Sequence, residues 1–154
     1  MKEQVRINDY KTVANFLMSG NKKEVKEFVE QLNWEKFTED CCEFMDIKFI
    51  RKYKDYISWE MYCSNVELSE DFIREFADYV DWGWISANES LSDDFVEEMA
   101  DYIEWDTLCT YNYLSEGFIR RFKDYVDWEC LMNGDYDFSD EFRAEFKEYL
   151  EEVE

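Results

Sequence analysis

A chain of 154 residues with 46% hydrophobic and 19% aromatic content can bury one core, which excludes a disordered chain despite 36% charged residues. Its 39 acidic against 17 basic residues, a net −22 with no histidine, oppose binding to phosphate backbones or anionic membranes and predict a basic partner instead. Cys41, Cys42, Cys63, Cys109 and Cys130 form an odd set without CxxC spacing; MKEQVRINDY has no apolar leader, and no apolar run reaches 18 residues. Reduced thiols, no membrane association and a cytoplasmic location are therefore expected.

In chain order, residues 8–18 predict a helix with Asn8 as cap, Val13, Ala14 and Leu17 on one face and Gly20 as the stop. It makes residues 1–20 the expected N-terminal capping helix. Tryptophans then recur at Trp34, Trp59, Trp82, Trp105 and Trp128, spaced by 25, 23, 23 and 23 residues. Around the last three the chain repeats itself as LSEDFIREFADYVDW, LSDDFVEEMADYIEW and LSEGFIRRFKDYVDW. Counted from the phenylalanine of each copy, apolar or aromatic residues fall at offsets 0, 1, 4, 7 and 8, as in Phe95, Val96, Met99, Tyr102 and Ile103. That stripe predicts an amphipathic helix A. Ser69, Ser92, Ser115 and Ser139 stand where a hydroxyl caps its first amides, with Leu68, Leu91, Leu114 and Phe138 before them as staples. Asn33, Ser58, Asp81, Glu104 and Asp127 precede the tryptophans and predict the start of a shorter helix B; all but the glutamate are good caps.

Repeats are expected at about 22–44, 45–67, 68–90, 91–113 and 114–137, and a C-terminal half-repeat cap at 138–154 has Glu152 where a tryptophan would stand. With no proline and four glycines there is no linker, so the predicted fold is a single all-α, solenoid-like array of short helix–turn–helix repeats. From residues 45 to 150 the pattern resembles the short LSxxFIxxFxDxVDW helical tandem repeats of proteins from phages, mobile elements and giant viruses. That resemblance implies an interaction scaffold and no catalytic residues.

Charge is uneven along the array: residues 1–33 carry +1, residues 34–67 carry −3 and residues 68–154 carry −20. Stacked at about 8–10 Å per helix, the four C-terminal units would span roughly 40 Å, or one charge per ~2 Å. Duplex DNA carries one per about 1.7 Å. Offset 6 holds Asp55, Asp78, Asp101, Asp124 and Glu148, a predicted row of exposed carboxylates, with Arg51, Arg74 and Arg120 four residues before the first, second and fourth of these as local partners. In the fourth unit Glu97 replaces the arginine, so Asp93, Asp94, Glu97, Glu98 and Asp101 contain no cation among them. Together with Glu75, Asp78 and Trp84 they are the predicted partner-binding residues. Trp84 stands in a slot held elsewhere by Lys36, Met61, Thr107 and Cys130 and is expected at the surface, with Tyr111, Tyr113 and Tyr136 as further departures from the pattern; the repeated tryptophans are expected in the core.

No cofactor or metal is expected. DYDFSDE opens like a calcium loop, but Asp140 stands where glycine belongs and Phe146 where the closing glutamate belongs. Without histidine, a phosphate-cradling glycine loop or a nucleophile motif, no enzyme is expected either. The expected function is inhibition, of phage or mobile-element type, of a basic nucleic-acid-binding host protein such as a CRISPR effector or restriction enzyme, by nucleic-acid mimicry and without direct nucleic-acid binding. The alternative is a helical-repeat scaffold whose acidity only maintains solubility, with a virion or assembly protein as a third reading.

Overall fold

A computed structural model describes the backbone of residues 2–87 and 91–151 and the side chains of residues 10–87 and 91–150. The expected ends of the third repeat, at residues 88–90, and of the C-terminal cap, with Glu152, lie outside the described residues. The described chain is all-α, an array of short helices in tandem. It divides into two compact units, Met1–Asp81 and Trp82–Glu154, and the division falls inside the third repeat.

The first unit opens with α1 (Lys2–Ser19), then α2 (Lys22–Gln31), α3 (Trp34–Cys41) with a 3-10 turn Cys42–Phe44, α4 (Ile47–Tyr53), α5 (Trp59–Asn65) and α6 (Glu70–Glu75). Helix α1 starts well before Asn8, so Asn8 is an interior helical residue and not the predicted cap. Gly20 does end it: its N–H bonds the Phe16 carbonyl at 2.7 Å, and a Cβ there would lie 2.6 Å from that oxygen. The last-turn carbonyl of Leu17 receives the Tyr53 hydroxyl at 2.6 Å and Lys52 Nζ at 2.8 Å, which ties the long helix to α4. Tyr10, Phe37, Phe49 and Tyr53 are buried around that junction, with half-buried Trp34 beside them.

The second unit runs α7 (Trp82–Ser86), α8 (Asp93–Glu98), α9 (Trp105–Tyr111), α10 (Glu116–Arg121), α11 (Trp128–Asn133), α12 (Asp140–Glu145) and α13 (Lys147–Glu151). Its core joins Val96, Ile103, Leu108, Ile119, Leu131 and Phe142 with their neighbours from successive repeats. Each helix of five to seven residues is too short to be stable alone, so stacking on neighbouring repeats must supply the stabilisation. Ser69, Ser92, Ser115 and Ser139 cap as predicted, accepting from the amides of Phe72, Phe95, Phe118 and Phe142. Asn33 and Asp127 also cap as predicted, but Ser58 makes no side-chain cap bond.

Helix A is shorter than its stripe. In α6, α8, α10 and α12 it stops at the offset-4 residue, and in the first three of these a tight turn carries the chain on to offset 8, as in Tyr102 N–H to Met99 O at 2.8 Å and Ile103 N–H to Met99 O at 3.1 Å. The tryptophan indoles use carbonyls that the break leaves free. Trp59, Trp105 and Trp128 donate to the offset-5 carbonyls of Lys54, Ala100 and Lys123 at 2.8, 3.0 and 3.0 Å, satisfying oxygens that a longer helix would have bonded itself.

Candidate functional site

The seam between successive repeats has two recurring parts. The offset-7 tyrosine lies against the tryptophan of the preceding repeat: Tyr102 stacks on Trp82 at 5.1 Å and Tyr125 on Trp105 at 5.2 Å between ring centroids. Both tyrosines are exposed, and all five repeated tryptophans are half-buried. The tryptophans therefore seal the edge of the core rather than fill it, a correction to the expectation that they are core residues. A ring that must place its N–H on a turn carbonyl stays near the surface where that carbonyl lies.

The second part sits four residues after each tryptophan, where Thr38, Cys63, Ser86 and Cys109 face the start of the next helix B. Ser58 N–H donates to Thr38 Oγ1 at 3.2 Å, Asp81 N–H to Cys63 Sγ at 3.4 Å and Glu104 N–H to Ser86 Oγ at 2.9 Å. At the corresponding place the Asp127 backbone amide acts on the Cys109 thiol, opposing the rise that burial causes. Two of the five cysteines thus occupy this place, interchangeable along the array with serine and threonine. Burial pushes both thiols up to about 11, so they stay protonated at neutral pH. None of the five cysteines is in a disulfide. A signal was present in the sequence: position four after the tryptophan is always small and polar except in the last full repeat, where Met132 has no following tryptophan to serve.

Outside the seams lies the acidic surface. Asp55, Asp78, Asp101, Asp124 and Glu148 are all exposed. Arginines reach between repeats. Arg51, at offset 2, bonds Glu75, at offset 3 of the following repeat, with contacts of 2.5 and 2.8 Å; Arg120 bonds Glu145 in the corresponding pair at 2.7 Å. Each pairing raises the guanidinium pKa, chiefly through the hydrogen bond to the carboxylate, and the same bond holds the Glu75 carboxyl below its usual value.

The fourth and fifth repeats make this link with the charges exchanged. Glu97 occupies offset 2 and Arg121 offset 3, and Arg121 bonds Glu97, bonds Asp94 at 2.7 Å and lies 3.9 Å from Asp93. The predicted cation-free cluster accordingly has a cation, supplied 24 residues away by the next repeat. Reading one helix at a time could not show it, although Arg121 standing where Glu75, Glu98 and Glu145 stand was a visible departure. Glu98 and Asp101 are exposed on the same segment of the second unit. Glu75 and Asp78 belong to the first unit, whereas Trp84 and the cluster belong to the second. Trp84 is 51% exposed on α7, and Tyr111 and Tyr113 are exposed at and just after the end of α9.

Among the described residues no group of histidine, cysteine or carboxylate side chains has the arrangement of a metal site. No described helix is long and apolar enough to cross a membrane. Comparison with family models, curated proteins and solved structures finds no match to this chain.

Proposed function

We propose that this protein is a non-catalytic binding protein that occupies the basic nucleic-acid-binding surface of another protein by presenting carboxylates in place of phosphates. The supporting observation is the second unit's surface. Residues 82–154 hold 21 acidic and 5 basic residues, and Asp101, Asp124 and Glu148 recur there as exposed groups, one per repeat. Repeated charge at a fixed interval meets lysines and arginines that themselves follow a polyanion. On this reading the target is a host defence protein, a CRISPR effector or restriction enzyme, and the inhibitor comes from a phage or mobile element.

The test is competition. Once a target is captured at low salt, the protein should displace DNA or RNA from it, and affinity should fall steeply as salt rises. A target that holds nucleic acid and this protein together without loss overturns mimicry. The remaining reading is then a scaffold that binds through ordinary side-chain complementarity. Arg121, which offsets part of the local charge, and the exposed rings of Trp84, Tyr111 and Tyr113 favour that second reading.

A further inference from the structure

The second unit contains an open groove of about 350 Å³ between Leu91 and Leu114, lined also by Val96, Leu108 and Phe118 and bordered by Asp93, Asn112 and Tyr113. Its size is at the small end of ligand sites, which run from ~300 Å³ upward. The next repeat shows why it is open. Counting back three residues from the capping serine, Asn112 before Ser115 corresponds to Tyr136 before Ser139. The Tyr136 ring lies flat on Phe138, 5.3 Å between centroids and 10° between planes. Its hydroxyl accepts from Leu114 N–H at 3.4 Å and donates to Asn112 O at 3.1 Å. One ring closes that seam and satisfies two backbone groups.

Asn112 is too short to do the same. Its Nδ2 donates to the carbonyls of Ser86 at 3.0 Å and Leu108 at 3.1 Å, which fixes the orientation of the amide. Its Oδ1 is left buried with no hydrogen-bond partner, the only such side-chain atom among the described residues, on a residue only 9% exposed. A buried acceptor without a donor is costly to keep, and its persistence calls for a reason such as strain or a bound group that completes the bond. A groove of mixed polar and apolar lining and an orphaned acceptor thus occur together at the place that Tyr136 closes in the next repeat.

We propose that this groove is an anchor site for a tyrosine side chain carried on a basic segment of the partner protein, the phenolic hydroxyl supplying the donor that Asn112 Oδ1 lacks. Asp93 at the border and the −16 charge of residues 82–154 select lysine and arginine flanks. A second copy of this chain would bring a further −22 and is disfavoured for the same reason. Tyr113, 76% exposed at the rim, adds an aromatic face beside the groove. The proposal rests on the proposed function only for the basic character of the partner; the aromatic site stands on the groove itself.

The experiment titrates the whole protein, with isotope-labelled methyl groups, with p-cresol, toluene and the peptides Lys-Arg-Tyr-Arg-Lys and Lys-Arg-Ala-Arg-Lys. p-Cresol should give saturable shifts at Leu91, Val96, Leu108 and Leu114 with a dissociation constant on the order of millimolar, as its size permits. Toluene, lacking the donor, should bind several-fold more weakly. The tyrosine peptide should move the same methyls at least ~10-fold more tightly than p-cresol at low salt, and the alanine peptide should leave them unmoved. Asn112→Tyr, which lets the chain fill its own groove as Tyr136 does, should abolish the p-cresol shifts. Unmoved groove methyls in the wild-type protein, equal binding of toluene, or an Asn112→Tyr variant that binds like wild type overturns the site. p-Cresol binding to which basic flanks add nothing overturns the basic segment and places the fault in the reading of the partner, not of the groove.

Discussion

Residues 1–81 carry 12 basic and 18 acidic side chains for a net −6, whereas residues 82–154 carry 5 and 21 for −16, yet the two compact units are assembled with the same joints. Thr38 and Cys63 accept the next repeat's amide in the first unit and Ser86 does so in the second, where Cys109 faces the Asp127 amide at the corresponding place. Tryptophan–tyrosine contacts seal the seams in both, as at Trp59–Tyr79 and Trp105–Tyr125. The first unit adds an 18-residue helix tied to Tyr53 and Lys52; the second has no described helix longer than seven residues. Packing and surface charge therefore vary independently in this array. The joints bury small polar groups and apolar edges, leaving the outward offsets open to whatever charge the function demands.

The largest effects should come from the cores, and they test whether the units are separate. Phe142→Ala, at a fully buried ring of the second unit, should cost about 3–5 kcal/mol, and Phe49→Ala about the same in the first. Hydrogen exchange should show each loss confined to its own unit; protection lost equally throughout both would merge them into one cooperative body. Trp105→Ala should cost less, about 2–3 kcal/mol, because the ring is half-buried, but should also expose the Ala100 carbonyl.

Next come the joints, where the comparison predicts equivalence. Cys63→Val and Cys109→Val should each cost about 1–3 kcal/mol by stranding an amide, while Cys63→Ser and Cys109→Ser should be close to neutral in denaturant unfolding. A serine variant as damaging as valine would show that sulfur's size, not its lone pair, holds the seam. The pH dependence follows from the same thiols. Their pKa is about 11 in the folded chain against 9.0 unperturbed, so the unfolded chain gives up these protons first as pH rises. Their contribution to stability should be complete below about pH 9 and decline between about pH 9 and 11 in both units, with alkylation of both thiols at pH 8 slower than that of a small-molecule thiol.

A smaller effect should separate the units by charge. Arg121→Gln removes the cation shared by Asp93, Asp94 and Glu97, so it should lower Tm more than Arg51→Gln, whose pairing is with Glu75 alone. The difference should shrink by about 0.5 M salt. Neutralising the whole cluster to Asn and Gln should remove target binding, and it should not stabilise the fold, since Arg121 then loses its partners. Equal melting shifts for the two arginine variants would mean that the exchanged pair is no more crowded than the ordinary one. The smallest change should be Trp84→Ala, within ~0.5 kcal/mol of wild type, given how much of that ring is exposed.

Much of the array was legible because each repeat carries its local instructions in adjacent residues. The serine caps, the apolar offsets 0, 1 and 4, the stop at Gly20 and the exposed offset-6 carboxylates follow from capping chemistry and helical period alone. The period misled where it ran past the helix. Tyr102 and Ile103 continue the spacing of the stripe, but they reach their positions through a turn, and the Trp105 indole bonds the offset-5 carbonyl of Ala100 within it. The candidate acidic site was visible as residues and not as electrostatics, since Glu97 reads as unopposed until Arg121 is laid beside it.

By itself the sequence determined that this is an all-α array of about 23-residue units with a strongly acidic C-terminal half, because caps, periodicity and net charge are properties of neighbouring residues. Only the tertiary structure decided which charges are paired, which thiols face the seams and which seam a phenol ring closes. Those facts depend on atoms some 18 to 26 residues apart in the chain that meet through the stacking of one repeat on the next.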